Sequence, residues 1–137
     1  MKKLPDYSSI ITISVNEPFI KIKPRGDFSK SFFETGGFNS TILRMEGSID
    51  EKADKIASEG NSIIVLCAAD EDYPVIVPAL VKAVKKRIDE PIFILAGDPG
   101  DNKDMYMESG IDLFIYRGID LPEIISGILD RSGVDNG

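Results

Sequence analysis

The sequence predicts an α/β fold: a three-layer sandwich in which helices cover both faces of a five-stranded parallel sheet. Three observations carry that expectation. Short runs of β-branched or continuously apolar residues recur along the 137-residue chain, segments with helical spacing of apolar positions stand between them, and the connections are short. Strict strand–helix alternation requires right-handed crossovers and hence parallel strands. Burial of both sheet faces explains why the strongest strands are apolar without alternating.

The elements follow in order. SSIITISV at 8–15 is β-branched and apolar and reads as the first strand. Residues 16–27 read as a loop, followed by a helix at 28–35 in which Phe28 and Phe32 lie one turn apart and Gly36 with Gly37 supply the stop. FNSTILR at 38–44 is a weaker strand. The helix at 48–60 opens with Ser48 and Glu51 in capping-box spacing, and puts Ile49, Ala53 and Ile56 on one face. SIIVLCA at 62–68 and PIFILAG at 91–97 are continuous apolar strands. Between them the helix at 73–87 starts behind Asp70, Glu71 and Asp72, whose charges suit a helix N-terminus, and ends in Lys85, Lys86 and Arg87. Pro78 implies a late start or a kink in it. A short helix at 101–110, a weak strand at 111–116 and a helix at 120–131, with Asp120 and Glu123 in capping-box spacing, complete the series. Five such strands are expected in the flavodoxin-like order 2-1-3-4-5. The working edge is then residues 16–27, 44–48, 68–73, 97–102 and 116–120. One domain over 1–137 is expected, with a polar tail at about 132–137.

Composition excludes several functions. The longest apolar runs fall far below the roughly 18 residues a membrane span needs. MKKLPDYSS lacks the apolar stretch of a secretory signal, and a single cysteine argues against a disulfide scaffold, so a cytoplasmic setting is expected. A net charge of −7 without a basic cluster disfavours nucleic acid as a partner. The absence of histidine removes imidazole metal ligands and Ser-His-Asp or Cys-His machinery. The first loop, within VNEPFIKIKPRGDF at 15–28, holds no hydroxyl to cradle a phosphate. A phosphate-accepting receiver would need an acidic pair after the first strand, an Asp ending the third and a Lys ending the fifth. Those places hold Asn16 with Glu17, Cys67 with Ala68, and Tyr116 with Arg117. No G-x-G-x-x-G follows a strand either. Cys67 reads as a small core residue, the acidic run at 70–72 as helix-capping charge, and Lys21, Lys23 and Arg25 as a solvated loop or as a grip on an anion or a partner's acidic patch.

The stretch from Glu51 to Asp130, above all VPALVKAVKKR, FILAGDPGDNKDMYMESGID and FIYRGIDLPEIISGIL, resembles the C-terminal cobalamin-binding domain of methylmalonyl-CoA mutases. From about Ile10 onward the chain is most similar to that domain in the small, non-catalytic beta subunit of the heterodimeric enzyme, where RGDFSKSFFETGGF at 25–38 has close counterparts. The family's cobalt-ligating D-x-H-x-x-G motif falls, counting back from Gly37 and Phe38, on Ile20, Ile22 and Arg25. Its Ser-x-Leu corresponds to Cys67, Ala68 and Ala69, its Gly-Gly to Gly97 and Asp98, and its Gly-Pro-Gly to Tyr116, Arg117 and Gly118. The resemblance therefore implies a degenerate domain: no metal, no directly bound adenosylcobalamin and no catalytic residue, since isoleucine has no lone pair for cobalt and a Tyr, an Arg and a carboxylate take up ligand space. It implies a structural role beside the large catalytic subunit of an isomerase that converts (R)-methylmalonyl-CoA to succinyl-CoA. The barrel that precedes this domain in the family's small subunits has no counterpart in the sequence, so either a terminal domain or a separate relative is implied. The alternative is a corrinoid held weakly or with its own base on cobalt, or another small ligand, in a crevice lined by Phe19, Cys67, Tyr116 and Arg117.

Overall fold

The computed structural model describes residues 10–131; the expected polar tail, and Ser8 and Ser9 of the expected first strand, lie outside the described residues. Strands β1 (Ile10–Val15), β2 (Asn39–Arg44), β3 (Ile63–Cys67), β4 (Ile92–Ala96) and β5 (Leu113–Ile115) form one parallel sheet in the order β2-β1-β3-β4-β5. They alternate with α1 (Phe19–Thr35), α2 (Ile49–Ser58), α3 (Tyr73–Lys85), α4 (Lys103–Glu108, preceded by a 3-10 turn at Gly100–Asn102) and α5 (Leu121–Arg131). This is the flavodoxin-like arrangement the sequence predicts.

Each face of the sheet carries its own core. Ile22 and Phe33 of α1 and Ile124 and Ile128 of α5 pack on Ile11, Ile13, Val15, Val65 and Ile94. On the other face, Ala53 and Ile56 of α2, Val77, Leu80 and Val84 of α3 and Tyr106 of α4 pack on Ile64, Leu66, Phe93 and Leu95. Successive residues of β3 and β4 thus feed opposite cores, which is why those strands read as unbroken apolar runs. No helix among the described residues is long and apolar enough to cross a membrane.

Three expectations need correction. Helix α1 begins at Phe19, so most of the expected loop 16–27 is helical. Its buried stripe is Ile22, Gly26, Ser29 and Phe33, a regular helical spacing hidden in the sequence because two of the four are not apolar. Small residues are required there, since a Cβ on Gly26 would stand 2.6 Å from Val15 Cγ2. Pro24 lies inside this helix. The carbonyl it leaves unbonded belongs to Ile20, at the helix's exposed start, where water is available.

Helix α3, likewise, starts at Tyr73 and runs through Pro78 rather than starting late. An interior proline costs about 3 kcal/mol. Val77, Leu80, Val81 and Val84 are all buried, at roughly 1.5–3 kcal/mol each, and outweigh it. Finally, β5 spans only Leu113–Ile115, because the Asp112 carboxylate accepts the Phe93 N–H at 2.9 Å and so replaces part of the strand pairing. The capping box on α2 is present as expected, with the Glu51 N–H donating to Ser48 Oγ and the Ser48 N–H to Glu51 Oε1, both at 3.1 Å.

Replacing Gly26 with Ala should destabilise the fold. Overpacking costs about 1–3 kcal/mol, and the helical preference of Ala returns at most about 1. A net loss of up to about 2 kcal/mol in urea unfolding is expected; a raised midpoint would show that α1 does not sit this close to β1.

Candidate functional site: the crevice at the carboxyl edge of the sheet

The carboxyl ends of parallel strands are where this architecture gathers its ligand chemistry. Here α1 leans over that edge and leaves a crevice of about 530 Å³ between its first half and the loops after β3, β4 and β5. Ala68, Ala69, Ala96 and Gly97 line its base, Ile22, Pro24, Phe28 and Tyr116 its sides, and Lys21, Arg25, Asp70, Glu71, Asp98 and Arg117 its charged rim.

Arg25 organises the inner wall. From α1 its guanidinium reaches across to β3, donating from one nitrogen to Ala68 O at 2.7 Å and to Asp70 Oδ1 at 2.9 Å, and its centre lies 5.8 Å from the Tyr73 ring. Asp70 is largely exposed, so the ion pair alone contributes no more than about 1 kcal/mol. The bond to the Ala68 carbonyl is the better shielded contact. Beneath it the buried Tyr73 hydroxyl accepts the Ala68 N–H at 3.0 Å and directs its proton to Ala96 O at 2.6 Å and Leu66 O at 3.1 Å. One phenol therefore ties the ends of β3 and β4 together. Burial pushes its pKa up, the nearby Cys67 adds to this, and the Ala68 N–H and Arg25 oppose it.

The sequence-derived positions separate into two groups. Ile22, Arg25, Ala69, Gly97, Asp98 and Tyr116 meet around the crevice. Ile20 does not: it is 88% exposed on the first turn of α1. Gly118, at φ +93, sits in the β5–α5 turn. Cys67 is buried below α1 with Ser29 Oγ at 3.7 Å from its sulfur, and desolvation pushes the thiol up to about 12 despite the opposing effects of Ser29 and Arg25. Of the four residues expected to line a remodelled crevice, Tyr116 and Arg117 do so. Phe19 instead lies under the Arg44 guanidinium at 5.1 Å, and Cys67 is enclosed.

Other expectations change with the helix. Lys21, Lys23 and Arg25 are helical rather than on a solvated loop, and face Glu71 at 3.8 Å, Asp27 at 2.9 Å and Asp70 at 2.9 Å. The acidic run therefore serves mainly as counter-charge to α1; Asp72 occupies the N-cap of α3 without a side-chain capping bond. Asp98 is exposed and accepts the Gly100 N–H at 3.0 Å, so no carboxylate is buried in the crevice. Two residues escaped the sequence reading: Tyr73, and Lys52, whose nearly buried ammonium donates to Asn16 Oδ1 at 2.8 Å and lies 3.7 Å from Glu17. A lysine three residues after Ile49, on the apolar stripe of α2, was the available signal.

Comparison with known proteins gives two kinds of likeness. No family model matches the chain. The chain is 26% identical over 110 residues to the methylmalonyl-CoA mutase small subunit of Porphyromonas gingivalis, an alignment covering 80% of this chain and 17% of that protein. It thus spans about a sixth of that relative's length. In three dimensions it is similar to a response regulator receiver protein from Burkholderia phymatum (TM-score 0.53, 15% identity, 93% of this chain and 98% of that one). A signal receiver domain from Clostridium thermocellum is similar to the same degree (TM-score 0.53, 16% identity, 93% and 98%). These two show the fold alone. No cluster of three or more His, Cys, Asp or Glu able to hold a metal occurs among the described residues.

Two measurements test this geometry. Tyr73→Phe leaves the Ala68 N–H and two carbonyls without their partner and should cost about 1–3 kcal/mol in chemical unfolding; a neutral effect would remove the tie between β3 and β4. The raised thiol keeps its neutral form in the fold, so its contribution to stability is intact below the ordinary value of 9.0 and is lost as pH rises toward about 12. Folded protein should therefore react negligibly with a thiol-specific disulfide reagent at neutral pH and fully in denaturant, with stability falling above pH 9.0.

Proposed function

We propose that the chain is a cobalamin-binding-like domain that has lost its cobalt ligand, and that it acts by packing against the catalytic subunit of a methylmalonyl-CoA mutase in the cytoplasm. That subunit would hold the adenosylcobalamin and isomerise (R)-methylmalonyl-CoA to succinyl-CoA, with no residue of this chain in the reaction. The small-subunit likeness over 110 residues motivates the reading. The observation that carries it is the use made of the first helix. A cobalt ligand needs a lone pair, yet the positions of the resembling motif hold a solvent-facing Ile20, a core Ile22 and an Arg25 that is bonded to Ala68 and Asp70. The donor set does not fit a lower cobalt ligand, and the Arg25 guanidinium stands in the wall of the crevice, bonded to Ala68 O.

A second reading keeps a corrinoid, bound without a protein ligand; the remaining crevice of about 530 Å³ favours it. Incubation with hydroxocobalamin, gel filtration and a visible spectrum distinguish the two. The first reading expects no corrin absorbance in the protein peak, the second a co-eluting band with the colour of the base-on form, and a base-off spectrum would overturn both. Association with a catalytic subunit from the same organism at micromolar concentration is the matching positive test; its failure would remove the partner role.

A further inference from the structure

The crevice is more than a remnant gap, because its chemistry is uneven in a useful way. Its volume of about 530 Å³ falls in the range of roughly 300–1,000 Å³ typical of small-molecule sites. The base is made of Ala68, Ala69, Ala96 and Gly97, so nothing larger than a methyl group rises from it and the strand ends present a flat surface. Gly97 stands at φ +148, a conformation that L side chains rarely adopt, and a Cβ there would lie 3.5 Å from Arg25 Nη1 and from Asp70 Oδ1, so that ion pair borders the base at this point. The Phe28 and Tyr116 rings are among the lining side chains and make part of the wall aromatic beneath the charged rim.

The rim charges are already assigned, with one exception. Arg25 bonds to Asp70, Lys21 faces Glu71, and Asp98 accepts the Gly100 N–H. Arg117 lines the same crevice, is exposed, and makes no ion pair with any described residue. A guanidinium offers a planar fork of donors matched to a carboxylate or a phosphate. A slot with a base of alanine and glycine, two aromatic side chains in its lining and one cation without an ion pair suits a ligand with a flat body and an anionic end.

We propose that this crevice binds a small organic anion, its flat apolar body lying on the Ala68–Gly97 base and its carboxylate or phosphate on Arg117. The site extends the functional reading above without depending on it, since neither corrin nor a catalytic subunit takes part.

The test is a titration of the isotopically labelled full chain, followed by amide chemical shifts at low ionic strength. Phenyl phosphate and benzoate distinguish the two possible anionic ends; inorganic phosphate supplies charge without a body, and benzamide a body without charge. Saturable shifts at the Ala69, Gly97 and Arg117 amides are expected with phenyl phosphate or benzoate, and at least about tenfold weaker binding of inorganic phosphate and benzamide. R117Q should weaken the organic anion by at least about tenfold and R117K by less, because lysine keeps the charge but not the fork. Arg117 is exposed in a turn, so spectra of both variants away from the crevice should be unchanged. The proposal is overturned if no saturable shift occurs at those amides, if R117Q binds as the parent does, or if inorganic phosphate binds as well as phenyl phosphate.

Discussion

The spacing between α1 and β1 is the constraint on which the rest of the molecule depends. Gly26 and Ser29 are the small residues of the helix's buried stripe, and they let the helix backbone come down onto Val15 and Cys67. Only at that distance can Arg25, one turn before Ser29, reach the end of β3, bond to Ala68 O and meet Asp70. The same approach buries Cys67 and sets the inner wall of the crevice. A bulkier stripe would lift the helix, and the guanidinium would no longer meet its carbonyl.

Most of the fold was legible in the sequence because its signals are local and redundant. The strands β3 and β4 are unbroken apolar runs, α2 carries a capping box, and Gly36 and Gly37 end α1. What was missed is what tertiary packing decides. The start of α1 contradicts local rules, with Pro24 inside the helix and Gly26 and Ser29 where a periodic reading looks for large apolar side chains. Pro78 misleads for the same reason: four buried aliphatic residues hold α3 in one piece through it. The site was half legible. Tyr116 and Arg117 were placed correctly at the crevice, but Phe19 and Cys67 were not, because their positions follow from a helix that local sequence does not announce.

The two kinds of likeness carry different information. Receiver domains share the topology at 15–16% identity, yet the positions at which a receiver needs acidic and basic chemistry hold Asn16, Cys67 and Tyr116, of which Asn16 accepts from Lys52 and Cys67 is enclosed. The likeness to a mutase small subunit runs instead through sequence. At the carboxyl edge, bonds among Arg25, Tyr73, Asp70 and the backbone bridge α1, β3 and β4.

Tyr73 gives the edge one further property. The chain has no tryptophan, so its near-ultraviolet emission belongs to four tyrosines. Tyr73 donates its phenolic O–H to backbone carbonyls, Tyr106 meets its ring edge to face and the Phe114 ring at a tilt, and Tyr116 stands half-exposed in the wall of the crevice. Of the tyrosines in the described body Tyr116 alone lines the open slot, so an occupant there would announce itself in that ring's emission without any label.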